Sequence, residues 1–419
     1  MKILIINKSA HSGGAAVAAN RLYTSLKDIE ADVGMLVEEP VNKNVDISTI
    51  CHKRIDKKKA FNRFIKERLY FLPYEKNKTV RFSFSPAVAG IDISQHPMVQ
   101  EADIIHLHWI NHGFLSLKNL DQLFRLKKPV VWTMHDMWPF TGGCHYANTC
   151  NHYIDTCGHC PFLRWSNSCD LSSKIHEKKY NIWNQANIHA VSCSKWLGSL
   201  AQESSLLRRK KIYSIPNPID TNVFAPMNMD ECRKEMGLPL NRKLLLFGAA
   251  NISDPRKGAR YLMEALHILD IRYPELSDKI ELIIFGKSKD IDFNKYPYKV
   301  HSLNYIDGTE QMVKLYNCAD AFVLPSLQDN LPNTVMEAQS CGIPVVSFRV
   351  GGVPEMIENK KNGFLTTMKD SDGLALGIYE ALFNTDPKAV KENARNFVLS
   401  NYSNKLIANK YMNLYKSLL

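Results

Sequence analysis

Short apolar runs of strand length alternate along the chain with stretches in which apolar residues return every three or four positions. This pattern predicts parallel strands, buried on both faces, joined by helices. The first run, residues 2–7, is followed by the turn Ser12-Gly13-Gly14-Ala15-Ala16 and by helical spacing over residues 17–27. Further strands are expected at residues 31–37, 102–109, 129–136, 188–193 and 212–215. A second series starts at residues 243–248, with helices at 259–271 and 309–319 and strands at 279–286, 300–303, 321–325 and 345–348. Between its last two strands Pro332 opens a helix that runs through Ala338, and Gly342-Ile343-Pro344 stops it. That helix start follows the carboxyl end of a strand, where open α/β sheets place ligands and free N–H groups favour phosphate.

Length and composition narrow the picture. A chain of 419 residues exceeds one ordinary core and suits two domains. We place them at 1–217 and 218–402, joined at Pro216-Asn217-Pro218-Ile219-Asp220, with residues 403–419 as a terminal helix. Hydrophobic content of 45% with 23% charged residues excludes a disordered chain. No apolar run is long enough to cross a bilayer, and Met1-Lys2 leads straight into a strand, so a cytoplasmic protein is expected. The formal charge of +11 admits nucleic acid or an anionic membrane as partner. Its distribution favours the membrane. Residues 51–86 hold eleven Lys or Arg against Asp56, Glu67 and Glu75. Phe61, Phe64, Ile65 and Leu69 are interspersed among them, as in an amphipathic helix lying on an anionic inner membrane surface. No stacking-aromatic or recognition-helix motif supports a nucleic-acid-binding protein.

Ten cysteines in a chain of this kind point to thiols or metal ligands. The insert 143–169 holds Cys144, Cys150, Cys157 and Cys160. Cys157-x2-Cys160 has zinc-ribbon spacing, and four thiolates would close a tetrahedron around a structural zinc; a disulfide pair is the alternative. No open His/Asp set accompanies them, so no catalytic metal is expected.

Two acids flank the 332 helix start. Asp329 lies in the loop and Glu337 about a turn into an otherwise apolar helix, where a carboxylate needs a hydroxyl-bearing ligand to offset its burial. Pro325, Ser326, Glu337, Ala338, Gly342, Pro344, Val345 and Val346 stand in the register of the D/E-x7-E signature, so the segment resembles that of retaining glycosyltransferases of family 4. Asp329 takes the place of the usual Glu, and Asn330-Leu331-Pro332 replaces Gly-Phe-Gly, a variant of some bacterial exopolysaccharide transferases. Gly351-Gly352-Val353-Pro354-Glu355 and Asn362-Gly363-Phe364-Leu365 extend the likeness.

The resemblance implies an α/β GT-B fold: two Rossmann-like doubly wound domains facing a central cleft, the first binding the acceptor and the second the nucleotide sugar, with the C-terminal helix crossing back. It implies a retaining, metal-independent hexosyltransferase that moves sugar from a nucleotide diphosphate to a lipid-linked oligosaccharide in surface polysaccharide synthesis. Catalysis would need no cofactor, and the enzyme would sit peripherally on the inner membrane face. Gly13 and Gly14 would lie beside the donor diphosphate, Lys257 would grip it, and Asn330, Leu331, Asn333 and Thr334 would line the donor loop. Glu337 would bind the ribose, Asp329 the hydroxyls of the transferred sugar, and His135 the donor sugar from the first domain. The family's other diphosphate-binding cation is missing near Asn251, so Arg256 or another cation would replace it. A GT-B sugar-nucleotide epimerase is the alternative enzyme.

Overall fold

The computed structural model describes residues 1–39, 47–287, 292–304, 306 and 308–419. They divide into two compact units, Met1–Asn217 with Ile407–Leu419, and Pro218–Leu406.

In the first unit, the described residues form a sheet of β1 (Ile3–Asn7), β2 (Val33–Val37), β3 (Ser48–Thr49), β4 (Ile104–Leu107), β5 (Val130–Met134), β6 (Ile188–Ser192) and β7 (Ile212–Ser214). All pairs are parallel, in the order β3-β2-β1-β4-β5-β6-β7. Every residue of β1 is buried, as expected of a central strand covered on both faces. The connections carry α1 (Gly14–Lys27), α2 (Arg54–Phe71), α3 (Pro97–Glu101), α4 (Leu117–Phe124), α5 (Leu171–Gln185) and α6 (Lys195–Glu203). Trp132, Trp138 and Trp183 are fully buried. Their indole N–H groups reach the carbonyls of His108, Ser85 and Pro139, which removes the cost of burying three donors.

The second unit repeats the plan. Among its described residues the sheet comprises β8 (Lys243–Asn251), β9 (Ile280–Lys287), β10 (Lys299–Ser302), β11 (Ala321–Leu324), β12 (Val345–Phe348) and β13 (Gly363–Thr366), all parallel, in the order β10-β9-β8-β11-β12-β13. Its helices are α7 (Met229–Glu235), α8 (Ala259–Arg272), α9 (Thr309–Cys318), α10 (Asn333–Ser340), α11 (Ser371–Tyr379) and α12 (Pro387–Tyr402). Each sheet therefore reverses its winding once, between β1 and β4 and between β8 and β11. Ligand sites of doubly wound sheets lie at the carboxyl ends of such strand pairs.

The last helix, α13 (Asn404–Lys416), returns most of its length to the first unit. Tyr415 Oη lies 2.7 Å from His106 Nδ1, His106 Nε2 lies 2.8 Å from Thr133 Oγ1, and Tyr411 Oη lies 2.9 Å from the same hydroxyl. This chain of hydrogen bonds fixes α13 to β4 and β5 and makes His106 a satisfied structural histidine.

Three local features differ from the sequence expectation. Helix α1 starts at Gly14, three residues early, because Gly13 at φ +93° makes the reversal alone. Helix α10 starts at Asn333, with Pro332 as its cap residue. Helix α2 forms in the basic segment, but its inward face carries charge beside the fully buried Phe71, and its outward face mixes Lys and Arg with exposed apolar residues. Glu67 is fully buried and accepts from Gly113 N–H at 3.2 Å and Arg68 at 3.3 Å. Arg63 donates to Glu38 at 2.8 Å and to the Gly113 carbonyl at 3.3 Å, and Arg68 to the carbonyls of Arg81 and Phe84. The helix covers irregular backbone whose polar groups need partners, and long charged side chains supply them. Phe61 and Leu69 are left 60% and 61% exposed, with Ile55 and Leu72 also exposed.

Candidate functional site

The loop from Pro325 to Pro332, between β11 and α10, is held by two turns. On one side the 3-10 turn Pro255–Lys257 is capped by Asp254, which accepts from Arg256 N–H at 2.9 Å. Leu327 N–H donates to the Arg256 carbonyl at 2.8 Å, and Arg256 Nη1 to the Gln328 carbonyl at 2.8 Å. On the other side Gly352 N–H donates to the Asp329 carbonyl at 3.2 Å. Gly258 (φ +71°) and Gly351 (φ +54°) are required here: a Cβ would run into the carbonyl oxygens of Pro325 and Asp329 respectively.

The chemistry of this loop centres on Asp329. Its buried carboxylate meets Arg256 Nη1 at 2.9 Å and Lys257 Nζ at 2.9 Å. Burial by itself would raise the carboxyl pKa, but Lys257 and then Arg256 outweigh it and hold Asp329 below the ordinary value. Two cations share this carboxylate, and Arg256 Nη2 also meets Asp254 Oδ2 at 3.6 Å, so two cations and two carboxylates stand together at the carboxyl ends of the adjacent strands β8 and β11.

Helix α10 begins beside this cluster. It has no side-chain cap and no acidic residue in its first turn, so its own side chains leave the positive end of the helix dipole uncompensated. Asn330 and Leu331 are buried in the loop ahead of it, and Asn333 and Thr334 form its half-buried first turn. Glu337, also buried, accepts from Tyr316 Oη of α9 at 2.8 Å. Tyr316 thus supplies part of the compensation expected of a ligand hydroxyl.

The first unit brings a second group to its own sheet reversal. Gly13 and Gly14 are exposed at the start of α1, which also lacks a side-chain cap and first-turn acid. Asn7 Oδ1 accepts from Trp109 N–H at 2.8 Å and ties the ends of β1 and β4 together. His135 directly follows β5. Its Nε2 lies 2.9 Å from His108 Nδ1, with the rings stacked at 5.1 Å, and its Nδ1 lies 3.7 Å from Cys193 Sγ. Burial pulls His135 down to about 4, against the opposing effect of Asp136, so the ring is neutral near pH 7. Sequence reading missed the pairing with His108; the signal was the alternation His106-x-His108, brought to His135 by the pairing of β4 with β5. The loop after His135 is anchored by Asp136, which accepts from Trp109 Nε1 at 3.1 Å and lies 2.7 Å from His145 Nδ1, while His145 Nε2 lies 2.9 Å from Ser85 Oγ.

All ten cysteines are unbridged. Cys144, Cys150, Cys157 and Cys160 line one cavity of about 20 Å³. As placed, no three His, Cys, Asp or Glu side chains among the described residues are disposed to hold a metal ion. No helix among the described residues is long and apolar enough to cross a membrane.

Known proteins are similar to this chain in sequence and in fold. Residues 30–223 match the family described as Glycosyltransferase Family 4, and residues 241–384 the family described as Glycosyl transferases group 1. The chain is 25% identical over 246 residues to the Escherichia coli UDP-Gal:alpha-D-GlcNAc-diphosphoundecaprenol alpha-1,3-galactosyltransferase, a match covering 56% of this chain and 63% of that enzyme. It is 23% identical over 357 residues to WcaC of Escherichia coli K12, a putative colanic acid biosynthesis glycosyl transferase, with 82% of each chain covered. Among solved structures, Anabaena HepE in complex with UDP superposes with a TM-score of 0.62 at 17% identity over 100% of both chains. WaaG, a glycosyltransferase involved in lipopolysaccharide biosynthesis, superposes at 0.61 and 13% identity, over 98% of this chain and 99% of that one. These likenesses establish the GT-B fold.

Proposed function

As the chain carries a Glycosyltransferase Family 4 domain and a group 1 glycosyl transferase domain on a GT-B fold, we propose that it moves a sugar, with retention of configuration, from a nucleotide diphosphate to a hydroxyl of a lipid-linked oligosaccharide. The observation that carries this reading is the cluster of Arg256, Lys257 and Asp329 beside the uncapped start of α10. When the glycosidic bond breaks, negative charge gathers on the departing diphosphate. Lys257, Arg256 and the N–H groups of Asn333 and Thr334 stabilise it electrostatically, and these fixed charges do the work a divalent cation does elsewhere. Arg256 takes the place of the cation missing near Asn251. Asp329 holds hydroxyls of the transferred sugar, Glu337 the ribose, and Asn330 and Leu331 shape the loop. From the first domain we assign His135, with its neutral ring, and the Gly13-Gly14 turn to the same reaction. Titration calorimetry with UDP, GDP, ADP and dTDP tests the site. The nucleoside diphosphate that binds should lose about tenfold or more in affinity with Lys257→Ala and again with Arg256→Ala, and unchanged affinity removes the site from this loop.

The lipid-linked acceptor and the membrane surface belong to the same reading. The diphosphoundecaprenol-linked substrate of the Escherichia coli galactosyltransferase supports the first. Helix α2 supports the second, because its exposed Ile55, Phe61, Leu69 and Leu72 alternate with Arg54, Lys57, Lys58, Lys59 and Lys66 on a helix whose inward face is already satisfied by ion pairs. Apolar side chains flanked by cations suit an anionic lipid surface, each cation contributing roughly 1 kcal/mol at low salt. Co-sedimentation should show binding to anionic but not neutral vesicles, lost in Phe61→Ser/Leu69→Ser and weakened by salt. Equal binding to both vesicle types contradicts it.

A further inference from the structure

We infer that Cys144, Cys150, Cys157 and Cys160 bind one structural zinc ion, and that this ion fixes the insert following His135. This inference stands on the first unit alone and does not depend on the transfer reaction. The four thiols come from three turns of a loop with few helix or sheet bonds of its own, yet all line one cavity of about 20 Å³, room for a single ion or water. None is bridged.

The backbone reaches one of these sulfurs directly. Gly142 N–H donates to Cys157 Sγ at 3.1 Å, and a Cβ at Gly142 would stand only 2.8 Å from Cys157 Cβ, so glycine is what permits that approach. Cys160 N–H is in turn held by Asp170 Oδ2 at 2.8 Å, and Asp170 caps α5, so the Cys157-x2-Cys160 turn is anchored to a helix start. N–H groups aimed at metal-bound sulfur orient the ligands and stabilise their charge.

A second observation is independent of the cysteines. Lys179 of α5 is fully buried, donates to the carbonyls of Trp138 and Thr141, lies over the Trp138 ring at 3.4 Å, and has no carboxylate within ion-pair distance among the described residues. A fully buried lysine without a counter-ion is costly. Its electrostatic neighbours are Cys144 and Cys157 and, more weakly, the carboxylate of Asp136 beyond ion-pair distance. When Zn²⁺ displaces four S–H protons, the four thiolates and the ion leave a centre of net charge −2, and Lys179 then has its counter-charge. The thiols as placed surround the cavity without converging, so ligation draws them inward by side-chain rotation.

The test uses the full chain purified without added metal or chelator. Elemental analysis should give near one zinc per chain, unchanged in Cys169→Ser, whose exposed thiol lies outside the cavity, and near zero in Cys157→Ser/Cys160→Ser. Should the double variant fail to fold, the wild type decides: on chelation the zinc should leave as four thiols become reactive, and cobalt(II) added to the stripped protein should give a thiolate-to-metal charge-transfer band. Folded wild-type protein without zinc that takes up no cobalt, or zinc that persists in the double variant, overturns the inference.

Discussion

Replacing Asp329 by Asn separates a site residue from a merely structural one, because stability and ligand affinity should move in opposite directions. Asp329 is buried and pairs with both Arg256 and Lys257. Removing one partner of a fully buried pair costs about 3–5 kcal/mol. Here both cations keep partial solvent contact and Arg256 keeps its bond to the Gln328 carbonyl, so a loss of about 1–3 kcal/mol is expected, read by urea denaturation. The same substitution removes one of the two carboxylates that face these cations and leaves the cluster with a net charge of +1. An added unit charge about 6 Å from a phosphate oxygen, at an effective dielectric of about 20, is worth at most about 3 kcal/mol, and solvent and salt reduce this to about 1. The nucleoside diphosphate should therefore bind about fivefold tighter to Asp329→Asn, while transfer falls because the sugar has lost its carboxylate. Calorimetry on folded variant protein gives the answer. Affinity that is unchanged or weaker would refute the placement of diphosphate at Lys257 and Arg256.

The remaining expectations are briefer. Glu337→Ala should weaken nucleotide binding about tenfold, whereas Tyr316→Phe, which leaves a buried carboxylate oxygen without its donor, should cost about 1–3 kcal/mol of stability in denaturant; a Glu337→Ala protein with full affinity would make that acid purely structural. His135→Asn should reduce turnover at least tenfold with nucleotide affinity within about twofold, and equal losses in both would mean the ring only holds the fold. Burial raises the Glu67 carboxyl to about 7 from an unfolded value of 4.5, despite the opposing pull of Arg68 and the Gly113 N–H. Between those values the folded chain binds a proton that the unfolded chain has released, so stability falls as pH rises through that window. Glu67→Gln should flatten this slope and be about 1–3 kcal/mol more stable than wild type at pH 8, and parallel urea curves at pH 5 and pH 8 for the two proteins would contradict it.

Much of the fold was legible because parallel strands covered on both faces read as apolar runs. Residues 321–325 and 345–348 are β11 and β12 almost to the residue, and Gly342, at φ +77°, ends α10 where a left-handed residue is needed. The site was legible only residue by residue. Spacing shows that Asp329 and Glu337 lie on a loop and the following helix. It does not show that Arg256 and Lys257 converge on Asp329, because that depends on β8 and β11 being neighbours 76 residues apart in register. The pairing of His108 with His135 was hidden for the same reason. Helix α2 itself was expected, but its inward ion pairs were not, because the sequence does not show that the loop backbone at Gly113 and Phe84 lies against it and takes Arg63, Glu67 and Arg68 as partners.

The most direct measurement of the central claim is time-resolved proton NMR of the purified protein with a panel of nucleotide diphosphate sugars in excess EDTA. One donor should release its nucleoside diphosphate slowly to water, and the sugar should emerge in the donor's own anomeric configuration before mutarotation, with Lys257→Ala suppressing the release. Emergence of the opposite anomer would contradict retention, and activity returning only with a divalent cation would contradict charge stabilisation by Lys257 and Arg256. Conversion of the donor to an isomeric nucleotide sugar would replace transfer by epimerisation.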